Sequence, residues 1–192
     1  MKSYLSNITG TMTISPSSWW DTTTDYNQKA CYPLTTPNQN FYNKSFYVPS
    51  GAHKILNTQF IYGQIADQTL SGKFSGQLQC SASNINAALS LACVINVIDD
   101  AGNDKRTLYS GRMGAFYYTT LQNVGFSGQL ATYHASDNDF IVIEIGSSGM
   151  SAGNYSGIQR FAGKPTYLPV NNIESGTGFA AWIDFSPAII GV

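Results

Sequence analysis

The chain has 192 residues, of which 43% are hydrophobic and 13% aromatic but only 11% charged, with a formal net charge of −1. A chain of this length makes one domain, with or without an appended arm, and its 12 Tyr, 10 Phe and 3 Trp exclude disorder over most of it. Ten Lys and Arg are scattered and balanced by eleven acids, which excludes a basic nucleic-acid-binding face.

Ordinary soluble domains carry about 25% charged residues, so something other than charge must keep this surface solvated or covered. The start, Met1-Lys2-Ser3-Tyr4-Leu5, lacks the apolar run of a secretory signal and predicts synthesis in the cytoplasm. No apolar stretch approaches the roughly 18 residues of a membrane-spanning helix.

Residues 1–50 read as an extended N-terminal arm. Pro16, Pro33, Pro37 and Pro49 punctuate a stretch rich in Ser, Thr, Asn and Tyr, and proline at that density forbids a long helix and interrupts strands. A short β piece is predicted over Asn43–Val48. The aromatics Trp19, Trp20, Tyr26, Tyr32, Phe41 and Tyr42 require packing, either on the arm's own domain or on a neighbouring subunit.

Residues 51–192 follow the two-residue period of strands. Leu70, Gly72, Phe74, Gly76, Leu78 and Cys80 line one face of a half-buried strand, and its two glycines predict a bulge or a close backbone approach. Leu89, Leu91, Cys93, Ile95 and Val97 alternate inward on a strand whose other face is partly apolar, so it is predicted to be central or covered. The polar turn Asp99–Asp104 predicts a hairpin, with a return strand over Arg106–Ser110. Further strands are predicted over Ala115–Leu121 and Gly125–Leu130.

Ser136-Asp137-Asn138-Asp139 launches the strongest β signal, Phe140–Gly146, with Ile141, Ile143 and Ile145 on one face. An outer strand over Asn154–Phe161 and a last strand over Gly178–Ser186 complete the set. No segment sustains a 3.6-residue apolar stripe. Many short strands separated by turns mean an all-β protein, an antiparallel β-sandwich of jelly-roll type.

No constellation carries chemistry. Gly146–Ser151 lacks the order of a nucleophile elbow and reads as a serine-rich loop, with no base placed near it by His134. Gly72-Lys73-Phe74-Ser75-Gly76 lacks the spacing of a phosphate loop. Glu144 lies mid-strand and Glu174 in a loop, so paired carboxylates are not indicated. The aspartates fall in turns without calcium-loop spacing. Cys31, Cys80 and Cys93, odd in number and unpaired in spacing, read as buried thiols and make no zinc pattern with His53 and His134. No enzyme, cofactor or metal is expected.

The adjacent aromatics Trp19-Trp20, Phe41-Tyr42 and Tyr117-Tyr118 can be buried, or serve as anchors of a protein interface, or stack on sugar. Trp19, Trp20, Tyr26, Phe41 and Tyr42 are the candidate interface residues; Tyr117, Tyr118 and Trp182 are the candidate sugar-stacking residues.

Ser136–Gly146, the closing Trp182-Ile183-Asp184-Phe185-Ser186, and Ser75–Cys80 before an Ala/Leu/Val-rich strand and polar hairpin together resemble jelly-roll virion proteins of tailed bacteriophages. Asp139 stands where such proteins carry a basic residue. The resemblance implies an auxiliary structural protein of the virion, a capsid decoration, head-fibre or minor tail component, with capsid or tail proteins as partners. The low charge and the arm fit such a homo-oligomeric, particle-bound protein, made in the host cytoplasm and carried in the virion. The alternative is a carbohydrate-binding jelly roll that attaches to a host-surface glycan.

Overall fold

The computed structural model describes residues 3–5, 14–21, 32–35, 42–87, 89–116, 118–151, 153–161 and 181–191. Among these the regular structure is all strand: β1 (Ser3–Leu5), β2 (Tyr32–Thr35), β3 (Tyr42–Val48), β4 (Gly51–Gln64), β5 (Gln68–Ala82), β6 (Leu89–Ile98), β7 (Asp104–Phe116), β8 (Gln122–Ala135), β9 (Phe140–Ser151), β10 (Tyr155–Phe161) and β11 (Trp182–Ser186).

The pairing is nested. β6 pairs with β7, β5 with β8, β4 with β9 and β3 with β10, all antiparallel. This is one long hairpin, tipped by the Asp99–Asn103 turn. Rolling it up sets β9 beside β6 and β10 beside β5. Two sheets result, β3-β10-β5-β8 and β4-β9-β6-β7, the jelly-roll arrangement expected from the strand pattern.

Three further strands extend the roll. β11 lies along β5 on the same edge as β10, and β1 pairs with β11. β2 then joins β1 antiparallel and β4 parallel, linking the two sheets along one flank.

Alternation sets the core. Leu89, Leu91, Cys93, Ile95 and Val97 of β6 and Ile141, Ile143 and Ile145 of β9 face Phe74 and Leu78 of β5 and Phe161 of β10 between the sheets. Gly72 has φ +89°, and a Cβ there would stand 2.3 Å from the Ser186 carbonyl oxygen. It sits at the Leu70/Gly72 register shift of the β5–β8 ladder, so this glycine marks both the bulge and the close approach of β11.

Several boundaries differ from the sequence pattern. β9 runs through Ser151, so Gly146–Ser151 is strand and not a loop: Ser147 and Ser148 are buried and pair with Leu91 and Ser90. β7 is continuous from Asp104 to Phe116, absorbing the predicted return strand and the start of the next. β10 is inside its sheet, between β3 and β5, not an outer strand.

The described parts of residues 1–50 are built into the same body, one of the two packings left open for the arm. Leu5, Phe46 and Val48 belong to the main core, and Ile14 and Trp20 belong to two smaller clusters on the outside of the second sheet. The expected division at residue 50 is not a packing boundary for these pieces.

Candidate docking surface

The second sheet carries an apolar outer face. Ala92, Val94 and Ile98 of β6 alternate with the core residues, as Val142 does on β9. Residues 14–21 lie over this face. Ile14 fills a site beside Ile98 and Val142, and Trp20 packs on Leu56, Ala92 and Val94. A Cβ on Gly146 would meet the Trp20 ring at 2.4 Å, so a glycine in β9 makes room for the indole.

Glu144 sits in the middle of this face, 1% exposed. Its Oε1 accepts from the Ser17 backbone N–H at 3.0 Å and from Gln59 Nε2 at 2.8 Å, and its Oε2 accepts from Trp20 Nε1 at 2.7 Å. Burial pushes the carboxyl above its ordinary range, against the pull of these three donors. Asp21 closes the segment: it exchanges backbone and side-chain hydrogen bonds with Lys54, whose ammonium lies 4.8 Å from the Trp19 ring centroid. Glu144 is therefore a clamp for residues 14–21.

The candidate interface residues divide accordingly. Trp20 is 6% exposed and serves the protein's own fold. Trp19 is half-buried and meets Trp20 edge to face at 4.8 Å. Tyr42 is half-buried on β3 and stacks on Phe161 at 6.1 Å. Tyr26 and Phe41 lie outside the described residues. Of the candidate sugar-stacking residues, Trp182 is 1% exposed and offers no open ring face, Tyr118 is 39% exposed, and Tyr117 lies outside the described residues.

Exposed apolar side chains gather elsewhere. At the end of the first sheet, Tyr47 of β3 is in register with Ser156 of β10. The Ser156 carbonyl accepts from Ser83 N–H, and Ala82 N–H donates to the Tyr118 carbonyl, both at 2.7 Å. These bonds set Tyr47, 49% exposed, and Tyr118 on one end of the sheet, together with the 83–87 turn that carries Ile85, 66% exposed. Ile190 lies at the far end, bonded to Ala66 and Gln68 at the opposite end of β5. Sequence pattern singled out Tyr118 but not Tyr47 or Ile85, since exposure of one aromatic in an alternating strand, or of an isoleucine in a turn, follows from what the chain leaves uncovered.

Several of the polar residues weighed for chemistry are occupied structurally, and Glu174 lies outside the described residues. Asp139 accepts from Lys105 Nζ at 2.5 Å and from Ser136 N–H at 3.1 Å. Asp99 accepts from the Asn103 backbone and side chain. His134 pairs with Asp67 at 3.2 Å on the surface. Burial raises both Cys80 and Cys93, and both are free thiols; Cys31 lies outside the described residues. Among the described residues no group of three or more His, Cys, Asp or Glu could hold a metal ion, and no helix is long and apolar enough to cross a membrane.

No family model matches the chain, and no curated protein matches it. Solved structures similar to it include a CocE/NonD family hydrolase from Staphylococcus aureus, at 10% identity over 71% of this chain and 39% of that chain, with a TM-score of 0.37. Infectious bursal disease virus Gx strain matches at 14% identity over 75% of this chain and 38% of that chain, TM-score 0.34. Eiger TNF from S. frugiperda matches at 10% identity over 68% of this chain and 99% of that chain, TM-score 0.29. The chain spans about two fifths of the length of the hydrolase and of the viral chain. Likeness at this level assigns neither a family nor an activity.

Proposed function

We propose that the chain is a non-enzymatic structural protein of a bacteriophage virion, a capsid decoration or head-fibre component that docks on the particle and stabilises it. The observation that carries this is a set of exposed hydrophobic side chains at one end of the first sheet, set among exposed Ser83, Asn84, Asn86, Thr119 and Thr120. Tyr47, Ile85 and Tyr118, three of the four large hydrophobic residues exposed among those described, share one end of the sandwich. A protein surface with few charges and a small cluster of aromatic and aliphatic anchors suits contact with another polypeptide.

The polar groups of the described residues support the same reading. Among the described residues weighed for glycoside cleavage or metal binding, Asp99, Asp137 and Asp139 serve turns and Glu144 holds residues 14–21. The resemblance of Ser136–Gly146 and Trp182–Ser186 to tailed-phage virion proteins supplies the kind of partner.

The test uses particles of the phage that encodes the chain, purified after deletion of its gene. Added full-length chain should sediment with these particles, and the triple variant Tyr47→Ser, Ile85→Ser, Tyr118→Ser should bind at least about tenfold more weakly. Equal binding by the variant would remove this end as the docking surface, and no binding by the native chain would remove the function.

A further inference from the structure

Residues 14–21 sit on the second sheet as a bound peptide sits on a receptor. They form no helix or strand. Ile14 enters an apolar seat beside Ile98 and Val142, and the Trp20 indole enters another over Gly146. Between the two seats Glu144 accepts from the Ser17 backbone N–H and from the indole N–H, and Asp21 bonds the β4 backbone at Lys54. The anchors fall within one short linear segment, and every seat for it lies on β4, β6 and β9.

The sheet beneath is built without this segment. β9 is paired with β4 on one side and β6 on the other along its length. β1 and β2, which flank the insertion of residues 6–31, pair with each other at Tyr4–Thr35 and Leu5–Leu34. The base of the insertion is therefore closed by its own ladder, and residues 14–21 can leave their seats without unpairing a strand. An insertion this long between paired strands is uncommon and is usually functional. At about 3.4 Å per residue, residues 6–13 and 22–31 can each span roughly 25 Å or more, enough to reach a molecule lying against the same face.

The face itself specifies what occupies it. Vacated, it would expose Leu56, Ala92, Val94, Ile98 and Val142 around the Glu144 carboxylate, an apolar patch that requires cover. Its notch at Gly146 is shaped to an indole, its carboxylate to the indole N–H and the Ser17 N–H, and its second seat to Ile14. The segment that meets all of these from outside is the same segment of another copy. Its contacts there equal those made within one chain, so the balance between the two arrangements rests on association and on the tethers alone. A net charge of −1 gives two copies little mutual repulsion.

We propose that residues 14–21 are exchanged between two copies of this chain, each laying its Ile14–Asp21 segment on the outer face of the other's second sheet. The contact is reciprocal, with a two-fold axis between the facing sheets. It is separate from the Tyr47–Ile85–Tyr118 end, which stays open in the pair.

The test uses Asp21 and Lys54, whose backbones bond at 2.8 Å. Asp21→Cys and Lys54→Cys, in separate full chains that both carry Cys31→Ser, are co-expressed under different tags, oxidised and purified through both tags. Exchange should give a disulfide between the two introduced thiols, identified by mass spectrometry of the linked peptides. Adding Trp20→Ala to the Asp21→Cys copy should lower the linked yield about tenfold, and the milder Ile14→Ala severalfold. The native chain should show a monomer–dimer equilibrium by sedimentation. Absence of the linked pair, where one chain carrying both substitutions closes the same bond within itself, would overturn the exchange, as would a yield indifferent to both Trp20→Ala and Ile14→Ala. A native chain that sediments as a monomer up to its solubility limit overturns it whatever the thiols do. Particle docking is read at the other surface, so failure here leaves that result unaffected.

Discussion

The indole Nε1 of Trp20 donates to Glu144 Oε2 at 2.7 Å across 124 positions of sequence. Together with the Ser17 and Gln59 bonds to Oε1, this contact fastens residues 14–21 to the outside of the second sheet. Glu144→Ala should leave three buried donors without their acceptor and destabilise the protein by roughly 2–4 kcal/mol. Urea denaturation measures the loss, and a red shift of the tryptophan emission should accompany it. A loss below about 0.5 kcal/mol would show that the clamp contributes little.

Glu144 and Asp139 impose opposite pH slopes. Burial would raise the Asp139 carboxyl, but the Lys105 ammonium and the Ser136 N–H outweigh it and hold it below its usual value of 3.8. Its stabilisation is therefore complete above that pH and is lost as pH falls through the lower folded value. Burial raises Glu144 from 4.5 despite its three donors. The native state then holds that proton more tightly than the unfolded chain, so stability declines as pH rises from 4.5 through the raised value. Urea midpoints measured across this range should show both slopes. Asp139→Asn should remove the acid-side loss, and Glu144→Gln should remove the decline above it.

Deletion of residues 1–50 should abolish the folded state. It removes β3 with Phe46 and Val48, β1 with Leu5, and the covering residues Ile14 and Trp20. The loss exceeds what a marginally stable domain tolerates. Circular dichroism should show no cooperative thermal transition. A truncated chain that kept its β signal and melted cooperatively would show that residues 1–50 are an arm after all.

Docking should depend weakly on salt. Tyr47, Ile85 and Tyr118 and the exposed Ser, Asn and Thr around them are uncharged, and the chain carries few charges, so little of the attraction is Coulombic. Particle affinity should change less than about threefold between roughly 0.05 and 0.5 M NaCl. A loss of tenfold or more would mean that charge pairs hold the interface.

The core of the sandwich was legible in the sequence because its strands alternate cleanly. Ile141, Ile143 and Ile145, and Leu89 through Val97 on odd positions, face inward as the two-residue period predicts. Ser147 and Ser148 were not legible as strand: two serines between glycines carry the composition of a loop, and only pairing with β4 and β6 makes them sheet. Trp19 and Trp20 illustrate a second limit. Their local sequence requires that something cover the indoles but does not specify what, and the answer lies with Glu144 and Gly146 far along the chain.

Peptide mass spectrometry of gradient-purified virions bears most directly on the functional account. The chain should be present at a fixed copy ratio to the major capsid protein across independent preparations, and should persist through repeated banding. Virions that contain no trace of it, while infected cells contain it in quantity, would contradict a structural role in the particle.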